Sequence, residues 1–426
     1  MHSFRYQKGE LYCEETPVRA LAEKFGTPLY VYSRRTIAGH FSRLDAALKP
    51  IDHRICFAVK ANSNLAVLRL LVRLGSGFDI VSQGELRRVL AAGGKASDCV
   101  FAGVGKTEAE IDFALREGIY CFNVESEAEL ERTQRVAARL KKTAPVSVRV
   151  NPDVDAHTHK KITTGTYEDK FGIALERIEE VYAGAAKLKN IRLRGIQMHI
   201  GSQMTEPGPF VASVKKTSAL VRRLADRYDI EFFSVGGGLG IVYDPALASG
   251  DPKWWRSAAG AKMLTPDGYA AALLPLLEPL GLRILVEPGR FIVGNAGILV
   301  ARVQYVKQTG RKRFVIVDAG MNDLVRPAMY ESFHQIVPLR KRAGAEIPSD
   351  VVGPICESAD IFGKDRLLAP VEEGDYIALM SAGAYGFTMA SNYNARPMPA
   401  EILVSGRKAS VARRRQKLEE LWKDEM

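Results

Sequence analysis

Short apolar segments alternate with amphipathic ones along residues 36–289 of the chain. The apolar segments are rich in Val, Ile and Phe, and we predict a strand in each of them: 55–60, 77–82, 99–103, 120–124, 146–150, 195–200, 232–238 and 283–289. Between them, segments such as 64–75 and 125–140 repeat apolar residues three and four positions apart, which is typical of helices. Such strands, separated by helices, indicate a parallel sheet buried on both faces. Eight units in roughly 250 residues predict an α/β fold, a (β/α)8 TIM-like barrel.

The pattern changes after the predicted barrel. Strand-like segments follow without helices of comparable length between them: 297–309, 313–320, 375–380 and 401–406. This predicts a second, mostly β domain. Residues 4–15 look like a hairpin that joins it, so we expect a barrel over 36–289 and a β-sandwich-like domain made of 1–35 and 290–426. Residues 410–426, in which basic side chains precede acidic ones, predict a terminal helix.

The composition is ordinary for a globular protein, with 46% hydrophobic and 26% charged residues in a chain of 426. The N-terminal residues carry charges where a signal peptide has an apolar core, and no apolar run is long enough to cross a bilayer. We therefore expect a cytoplasmic protein without a membrane anchor. The net charge of +11 is spread along the chain apart from one cluster near the end, Arg407–Lys408 and Arg413–Arg415. A solvated helix face explains this cluster better than a nucleic-acid site, and a positive balance suits an enzyme whose cofactor and substrate are anionic.

The five cysteines are far apart and form no CxxC pair. This spacing argues against a disulfide framework and against a zinc site. We expect most of them to be buried thiols, with Cys356 as the exception. His157 and His159 lie in a polar stretch without a third ligand, so we predict that they are loop histidines and that there is no metal site.

Polar residues and glycines collect where the predicted barrel strands end: Lys60, Asp79, Arg149, Asn151, His199, Gly201-Ser202, Gly236–Gly240 and Glu287–Arg290. Barrel enzymes build their active sites at this end of the strands. An amine such as Lys60 suits imine formation with a carbonyl cofactor. Bare glycine N–H groups let a phosphate approach, and a carboxylate such as Glu287 holds a pyridine nitrogen protonated. Alone, Lys60 would be a surface lysine and His199 a core histidine; together these residues predict a site.

Two glycine motifs do not carry the function that they first suggest. Gly105-Lys106-Thr107 ends like a phosphate-binding loop, but Val100 stands where the first glycine of that motif belongs. The segment Gly236–Gly240 lacks the spacing of a dinucleotide-binding motif, because Ile241 occupies its last position.

Fragments along nearly the whole chain resemble the alanine-racemase-like (fold type III) pyridoxal-phosphate-dependent decarboxylases: FAVKAN (57–62), GFDIVSQGEL (77–86), KFGI (170–173), HIGSQ (199–203), GGGLG (236–240), EPGR (287–290), RPAMY (326–330), GPICESAD (353–360) and AGAYG (382–386). Their number and order make the resemblance specific, which no single fragment would do. It implies a decarboxylase of amino acids. Within the family, the fragments are most similar to the branch that converts meso-2,6-diaminopimelate into L-lysine and carbon dioxide, the last step of lysine biosynthesis.

The resemblance also implies a role for each matching residue. Lys60 would form the Schiff base with pyridoxal 5'-phosphate, His199 would lie against the cofactor ring, and Glu287 would bind the pyridine nitrogen. The full set of cofactor-binding residues would be Lys60, Asp79, Arg149, His199, Ser202, Gly236, Gly237, Gly238, Glu287, Pro288, Gly289, Arg290 and Tyr385.

The substrate-binding residues implied by the resemblance are Arg290, Arg326, Tyr330, Glu357 and Tyr385. An arginine fork would bind the distal carboxylate through bidentate, charge-assisted bonds, and Glu357 would pair with the distal ammonium. Cys356 would return a proton to the α-carbon, so the catalytic residues would be Lys60, His199 and Cys356. Cys356 and Glu357 would come from the partner subunit, which implies an obligate homodimer.

Two positions depart from the family pattern, and other functions stay open. Ala359 stands where glycine is usual and could alter the substrate pocket, while Met398 replaces a frequent arginine at a peripheral position. One alternative is a sister decarboxylase that acts on D-ornithine, D-lysine, L-ornithine, arginine or carboxynorspermidine. A racemase of the same fold fits the Cys356-Glu357 motif less well. An inactive relative that regulates an active enzyme would not need Lys60, His199 and Cys356 intact.

Overall fold

The computed structural model describes residues 1–154 and 170–426, and the chain divides into two compact units. The barrel unit consists of residues 41–240 and 263–289, and the β unit consists of 1–40, 241–262 and 290–426. The domain bounds predicted from the sequence differ from this division at 36–40 and 241–262, and they stay a prediction. His157 and His159 lie outside the described residues.

Eight parallel strands close into a barrel, which confirms the predicted fold. They are His53–Ala58, Gly77–Ile80, Cys99–Phe101, Cys121–Val124, Ala144–Asn151, Ile191–Met198, Phe232–Ser234 and Arg283–Val286. Each pairs with its neighbour in this order, and the last pairs with the first, where Ile284 lies opposite His53. A two-residue strand, Ile173–Ala174, extends the sheet beside the fifth barrel strand. Because the strands are short, apolar and buried on both faces, polar groups are concentrated where the strands end.

Helices follow most of the barrel strands, and side-chain caps determine where several of them begin. Asn64 accepts the Ala66 N–H at 2.8 Å at the start of one helix, and Ser126 caps another by accepting the Glu129 N–H at 3.2 Å. The α-helices described in the barrel unit are Leu65–Arg73, Gln83–Ala91, Glu108–Glu117, Glu127–Arg139, Ile178–Ala185, Gly208–Arg227 and Pro266–Leu277. A further helix, Arg34–Leu48, precedes the first barrel strand.

The β unit is built mainly on one mixed sheet, which confirms the predicted second domain. Its strand order is Ile361–Leu368, Ile347–Val352, Lys312–Val317, Gly297–Thr309, Leu29–Ser33, Ala400–Ser405 and Lys408–Arg413. Tyr376–Leu379 pairs with Gly297–Thr309 and with Ile336–Pro338. The N-terminal hairpin is Phe4–Gln7 with Glu10–Cys13, followed by Thr16–Pro17, and it belongs to this unit as expected. The described α-helices are Val18–Phe25, Arg290–Val293 and Arg326–Tyr330.

The predicted terminal helix over residues 410–426 is wrong. Lys408–Arg413 is a strand, antiparallel to Ala400–Ser405, and only Leu418–Leu421 forms a short 3-10 turn. Gly406, with φ of +62°, supplies the left-handed turn between the two strands. The basic residues of this segment are used within the β unit, since Arg413 pairs with Glu401 at 2.6 Å and Arg415 donates to the Pro28 carbonyl at 2.7 Å. Arg413 and Arg415 therefore each have a partner within the β unit.

None of the helices that the structure describes is long and apolar enough to cross a membrane. Over residues 1–154 and 170–426, no group of three or more His, Cys, Asp or Glu side chains is arranged to hold a metal ion. All five cysteines are free thiols. Cys356 is exposed, and the buried ones are Cys13, Cys56, Cys99 and Cys121.

Candidate active site

Lys60 lies one short turn beyond the first barrel strand, beside the second. Its Nζ donates to Asp79 Oδ2 at 2.6 Å, and Asp79 lies opposite Ala58 in the strand pairing. The carboxylate of Asp79 is 1% exposed, whereas the lysine side chain is 39% exposed. The ammonium group of a partly exposed side chain is therefore held in place by a buried carboxylate.

Glu287 follows the last barrel strand, and its buried carboxyl group has two polar partners. Ser234 Oγ donates to Oε1 at 2.7 Å, and Gln197 Nε2 donates to Oε2 at 3.1 Å. Burial, followed by the negative charge of Asp79, raises the pKa of Glu287 to about 7, although the bonds from Ser234 and Gln197 and the charge of Lys60 act in the opposite direction. Glu287 can therefore share a proton near neutral pH, which suits a partner for a pyridine nitrogen.

His199 follows the sixth barrel strand and is neutral. The Gly237 N–H donates to its Nδ1 at 3.1 Å, so this nitrogen carries no proton. Burial, together with the positive charges of Arg149 and Lys60, lowers the pKa of His199 far below its ordinary value. A flat, uncharged imidazole of this kind is able to stack against an aromatic ring.

The glycines after the seventh strand form a cradle that no other residue would fit. A Cβ added at Gly237 would lie 2.2 Å from the Glu287 carbonyl oxygen, and one at Gly238 would lie 2.2 Å from Met204 Cε. Gly238 also has φ of +109°, a conformation that favours glycine. Among the described residues, nothing accepts the Gly238 N–H. Such a backbone donor is suited to a phosphate oxygen. Ser202 is half-buried, on the loop after His199.

A buried ion pair positions Arg149 next to His199. Arg149 Nη1 donates to Glu125 Oε2 at 2.9 Å, and Nη2 donates to the His199 carbonyl at 3.4 Å. The Glu125 N–H in turn donates to Glu129 Oε2 at 2.9 Å. Lys106 completes the chain with an ion pair to Glu129 Oε1 at 2.6 Å. The lysine of the Gly105-Lys106-Thr107 segment is therefore part of a buried charge network and not of a phosphate-binding loop.

In the β unit, Arg290 and Arg326 both lie against Tyr243. Arg290 Nη1 donates to the Tyr243 hydroxyl at 2.6 Å, and the Arg326 guanidinium lies 5.0 Å from the centre of the tyrosine ring. Arg326 Nη1 also donates to His334 Nε2 at 2.8 Å. His334 Nδ1 must carry the ring proton, because it bonds the Met380 carbonyl oxygen at 2.8 Å. Burial and the charge of Arg326 lower the pKa of His334 to about 3, so it is neutral.

Tyr385 and Tyr330 also belong to the surroundings of Arg290. The Arg290 guanidinium lies 4.9 Å from the centre of the Tyr385 ring. Tyr385 has φ of +55°, a strained backbone conformation for a residue with a bulky side chain. Tyr330 is half-buried at the end of the helix Arg326–Tyr330, and its phenol contributes to raising the pKa of Arg290. Strain held at a residue of this kind is typical of functional sites.

Cys356 and Glu357 lie on an exposed turn of the β unit. The turn is held by Asp360, whose carboxylate accepts the N–H groups of Ile355 at 2.7 Å and Met321 at 2.6 Å. Cys356 donates its own N–H to Asn394 Oδ1 at 3.0 Å. The side chains of Cys356 and Glu357 are thus presented to solvent by a hydrogen-bonded backbone.

The two departures from the family pattern are accommodated without strain. Ala359 is exposed on the same turn, and its backbone does not have the positive φ that would require glycine. Met398 exchanges hydrogen bonds with Gln416, accepting its N–H at 3.1 Å and donating to its Oε1 at 3.0 Å. Nothing in these contacts involves the residues expected to act in chemistry.

Within each unit, the structure brings most of the expected residues together. The barrel unit collects Lys60, Asp79, Arg149, His199, Gly236, Gly237, Gly238 and Glu287, and Pro288 and Gly289 continue from the last strand. The β unit collects Arg290, Arg326 and Tyr385, while Cys356 and Glu357 stand on their exposed turn. Four residues were missed by sequence reasoning: Gln197, Ser234, Tyr243 and His334. Gln197, Ser234 and Tyr243 stand near recognised motifs, but a single sequence carries no signal for their contacts.

The barrel cluster fits pyridoxal phosphate. The amine of Lys60, the carboxyl group of Glu287 and the glycine cradle match the aldehyde, the pyridine nitrogen and the phosphate of that group. Two buried oxygen atoms in the same unit, Asp79 Oδ1 and Gln197 Oε1, have no hydrogen-bond partner. Buried acceptors of this kind normally find a donor, so they are consistent with a bound polar ligand.

Comparisons with known proteins agree with this chemistry. The family model described as pyridoxal-dependent decarboxylase, pyridoxal binding domain, matches residues 34–294. Diaminopimelate decarboxylase of Vibrio cholerae is 50% identical over 425 residues, which covers 99% of this chain and 98% of that protein.

Solved structures are similar over nearly the whole chain. Diaminopimelate decarboxylase of Helicobacter pylori, complexed with L-lysine, has a TM-score of 0.88 and 40% identity, covering 96% of this chain and 99% of its own. Diaminopimelate decarboxylase from M. jannaschii, in co-complex with L-lysine, has a TM-score of 0.91 and 35% identity, covering 100% of this chain and 98% of its own.

Proposed function

Because this chain belongs to the pyridoxal-dependent decarboxylase family, we propose that it uses pyridoxal 5'-phosphate to convert meso-2,6-diaminopimelate into L-lysine and carbon dioxide. The relatives named above support this substrate, since two of them were solved with L-lysine. The observation that carries the choice is the convergence of Arg290 and Arg326 on Tyr243. Two buried guanidinium groups around one phenol form a site for an anion, which a distal carboxylate supplies and which ornithine or arginine lacks.

The barrel residues would bind the cofactor. Lys60 would hold it covalently through its amine, Glu287 would bind the ring nitrogen and keep a proton there, and His199 would lie against one face of the ring. The Gly238 N–H and Ser202 would bind its phosphate. Pyridoxal phosphate, when bound, supplies a protonated ring that accepts the electron pair left behind by the departing carboxylate.

The β-unit residues would bind the substrate and complete the proton transfer. Arg290, Arg326 and Tyr330 would hold the distal carboxylate, and Glu357 would pair with the distal ammonium. A substrate without that ammonium would leave the carboxylate of Glu357 buried in the complex without a partner. The thiol of Cys356 would give its proton to the α-carbon after carbon dioxide leaves. The exposure of the turn that carries Cys356 and Glu357 supports its use by a second copy of the chain. A cytoplasmic homodimer is part of this proposal.

Product analysis tests the substrate. The protein with pyridoxal phosphate is incubated separately with meso-diaminopimelate, D-lysine, L-ornithine, L-arginine and carboxynorspermidine, and carbon dioxide and amines are measured. We expect L-lysine from diaminopimelate and little turnover of the others. Preference for another substrate would keep the cofactor chemistry but move the function to a sister decarboxylase.

Mixed dimers test the sharing of the site between subunits. Lys60→Ala and Cys356→Ala variants are each expected to be nearly inactive. If Cys356 of the partner subunit serves each Lys60, mixing the two variants under conditions that exchange subunits should restore about a quarter of wild-type activity, because half of the dimers are mixed and each has one intact site. An equal mixture that stays inactive despite verified exchange would mean that both residues act within one chain.

A further inference from the structure

Tyr243 stands between two positive charges and is not part of any motif that carries the family resemblance. Its hydroxyl oxygen accepts from Arg290, and its ring lies 5.9 Å from the Arg290 guanidinium and 5.0 Å from that of Arg326. His334 packs edge-on against the same ring, with centroids 5.4 Å apart. The phenol therefore contacts each of the other three groups of the cluster.

The positive charge of Arg326 is not neutralised by a nearby carboxylate of the described residues. Arg326 is 5% exposed, and no carboxylate lies within ion-pair distance of it among the described residues. Its hydrogen bonds go to His334, which is neutral, and to Ser332 Oγ at 3.2 Å. Burial and the nearby charge of Arg290 lower the pKa of Arg326, whereas Tyr243 acts in the opposite direction. A buried cation without a carboxylate partner favours the binding of an anion.

The hydrogen-bonding capacity of Tyr243 is only partly used. A phenol accepts through its oxygen and donates through its one proton. The oxygen accepts from Arg290 at 2.6 Å, and within residues 1–154 and 170–426 no group accepts the proton of Tyr243. A donor held next to two guanidinium groups is suited to a carboxylate that all three can reach.

We propose that Tyr243 determines substrate specificity by donating a hydrogen bond from its hydroxyl group to the distal carboxylate that Arg290 and Arg326 bind. His334 is the residue that positions Arg326. This inference rests on the proposed function, because it names a further donor for the same carboxylate. His334 positions Arg326 because its protonated Nδ1 is fixed by the Met380 carbonyl, which leaves its Nε2 to accept from the arginine.

The test uses two ligands that differ in this carboxylate. L-lysine keeps the distal carboxylate of diaminopimelate as its own carboxylate, whereas 1,5-diaminopentane has the two amines and no carboxylate. Dissociation constants are measured for both with the holoenzyme by calorimetry. Tyr243→Phe keeps the ring and removes the hydroxyl, and should weaken L-lysine binding about ten- to a hundredfold, the usual effect of losing a hydrogen bond to a charged group, without changing that of 1,5-diaminopentane.

Control variants separate the outcomes. Tyr182→Phe removes a buried hydroxyl in the barrel unit, one that donates to the Gly195 carbonyl at 2.6 Å, and should leave both constants unchanged. If Arg326→Ala weakens L-lysine binding and Tyr243→Phe does not, the anion site stands and the role of Tyr243 is refuted. If neither variant affects L-lysine, the proposed carboxylate site fails as well. Equal weakening of both ligands by Tyr243→Phe would mean a structural role and would overturn the inference.

The pH dependence gives a second readout. Burial raises the pKa of Tyr243, but the positive charges of Arg290 and Arg326 outweigh it, so the pKa lies below its ordinary value. The other titratable or charged groups that act on members of this cluster include His334, Tyr330, Tyr385, Arg366 and Tyr30. As the pH rises, the phenol loses its donor proton and becomes negative beside the carboxylate, so L-lysine binding by the wild type should weaken. Because the amino groups of L-lysine also lose protons at alkaline pH, Tyr243→Phe should show a smaller alkaline loss than the wild type, and an equal loss in both proteins would contradict the inference.

Discussion

The ends of the barrel strands and the cluster around Tyr243 differ in the partners that they provide for positively charged side chains. In the barrel unit, the cations next to the site each have a carboxylate partner: Lys60 with Asp79 at 2.6 Å, Arg149 with Glu125 at 2.9 Å, and Lys106 with Glu129 at 2.6 Å. In the β unit, Arg326 bonds to a neutral imidazole and a hydroxyl, and Arg290 bonds to a phenol.

The difference indicates what each region is prepared to do. Matched ion pairs keep side chains in fixed positions before a ligand arrives, which suits a cofactor that must be held in one orientation. A buried guanidinium with neutral hydrogen-bond partners, as at Arg326, instead gains stability when an anion binds, which suits recognition of a carboxylate.

Lys60→Ala should have the largest effect, because it removes the only part of the barrel cluster proposed to bind the cofactor covalently. Turnover should fall by about 10⁴-fold, the order seen when a covalent catalytic group is lost, and the absorbance of bound cofactor in its lysine-linked form should disappear. Absorbance spectra and product formation are measured together. Lys95→Ala, an exposed lysine of the same unit, is the control. Retention of the lysine-linked absorbance in Lys60→Ala would refute the role of this residue.

Lys106→Met tests whether matched charge holds the barrel cluster together. It leaves Glu129 buried without its cation, so the free energy of unfolding should fall by about 3–5 kcal/mol in denaturant titration. The double variant Lys106→Met/Glu129→Gln removes both charges and should recover part of this loss. Arg223→Met, which breaks an exposed pair with Glu179 at 2.9 Å, should leave the free energy of unfolding nearly unchanged. Similar losses for Lys106→Met and Arg223→Met would mean that the buried network contributes no more than a surface pair.

Arg290→Ala tests the selectivity of the β-unit cluster. The kcat/KM for meso-diaminopimelate should fall by about a hundredfold, because the buried carboxylate of the substrate loses a charged partner. D-lysine lacks the distal carboxylate, so Arg290→Ala should lower the kcat/KM for D-lysine much less than that for meso-diaminopimelate. Arg342→Ala, an exposed arginine of the same unit that pairs with Asp375 at 2.9 Å, is the control. Equal losses with both substrates would contradict recognition of the distal carboxylate.

The smallest expected effect concerns the proton on Glu287. Its folded-state pKa of about 7 lies above the ordinary value, so the folded protein keeps a proton that the unfolded chain releases as the pH rises above about 4.5. The contribution of this proton to the free energy of unfolding should therefore be most favourable at low pH and be lost as the pH rises to about 7. Between pH 5 and 8 the cofactor-free wild type should lose about 2 kcal/mol more stability than Glu287→Gln. Parallel stability profiles of the two proteins would contradict a raised pKa.

Most of the architecture could be predicted because its signals are local. Buried parallel strands produce apolar runs, and helices repeat apolar residues every three or four positions, so each barrel strand was found from its own residues. The strand Leu29–Ser33 was missed, although it lies in the middle of the β-unit sheet. The terminal helix was wrong because its pairing partner, Ala400–Ser405, overrides the helical preference of the basic and acidic residues.

The sequence by itself determined the barrel, the mostly β second unit and the residues that carry recognisable motifs, including Lys60, His199 and Glu287. Only the tertiary structure decided which side chains set the electrostatics around them. Ser234 and Gln197 bond Glu287 from other strands, and Tyr243 meets Arg290 across a separation of 47 residues. Hydrogen bonds and charge interactions depend on distances of a few ångströms between residues far apart in the chain, and local periodicity contains no information about those distances.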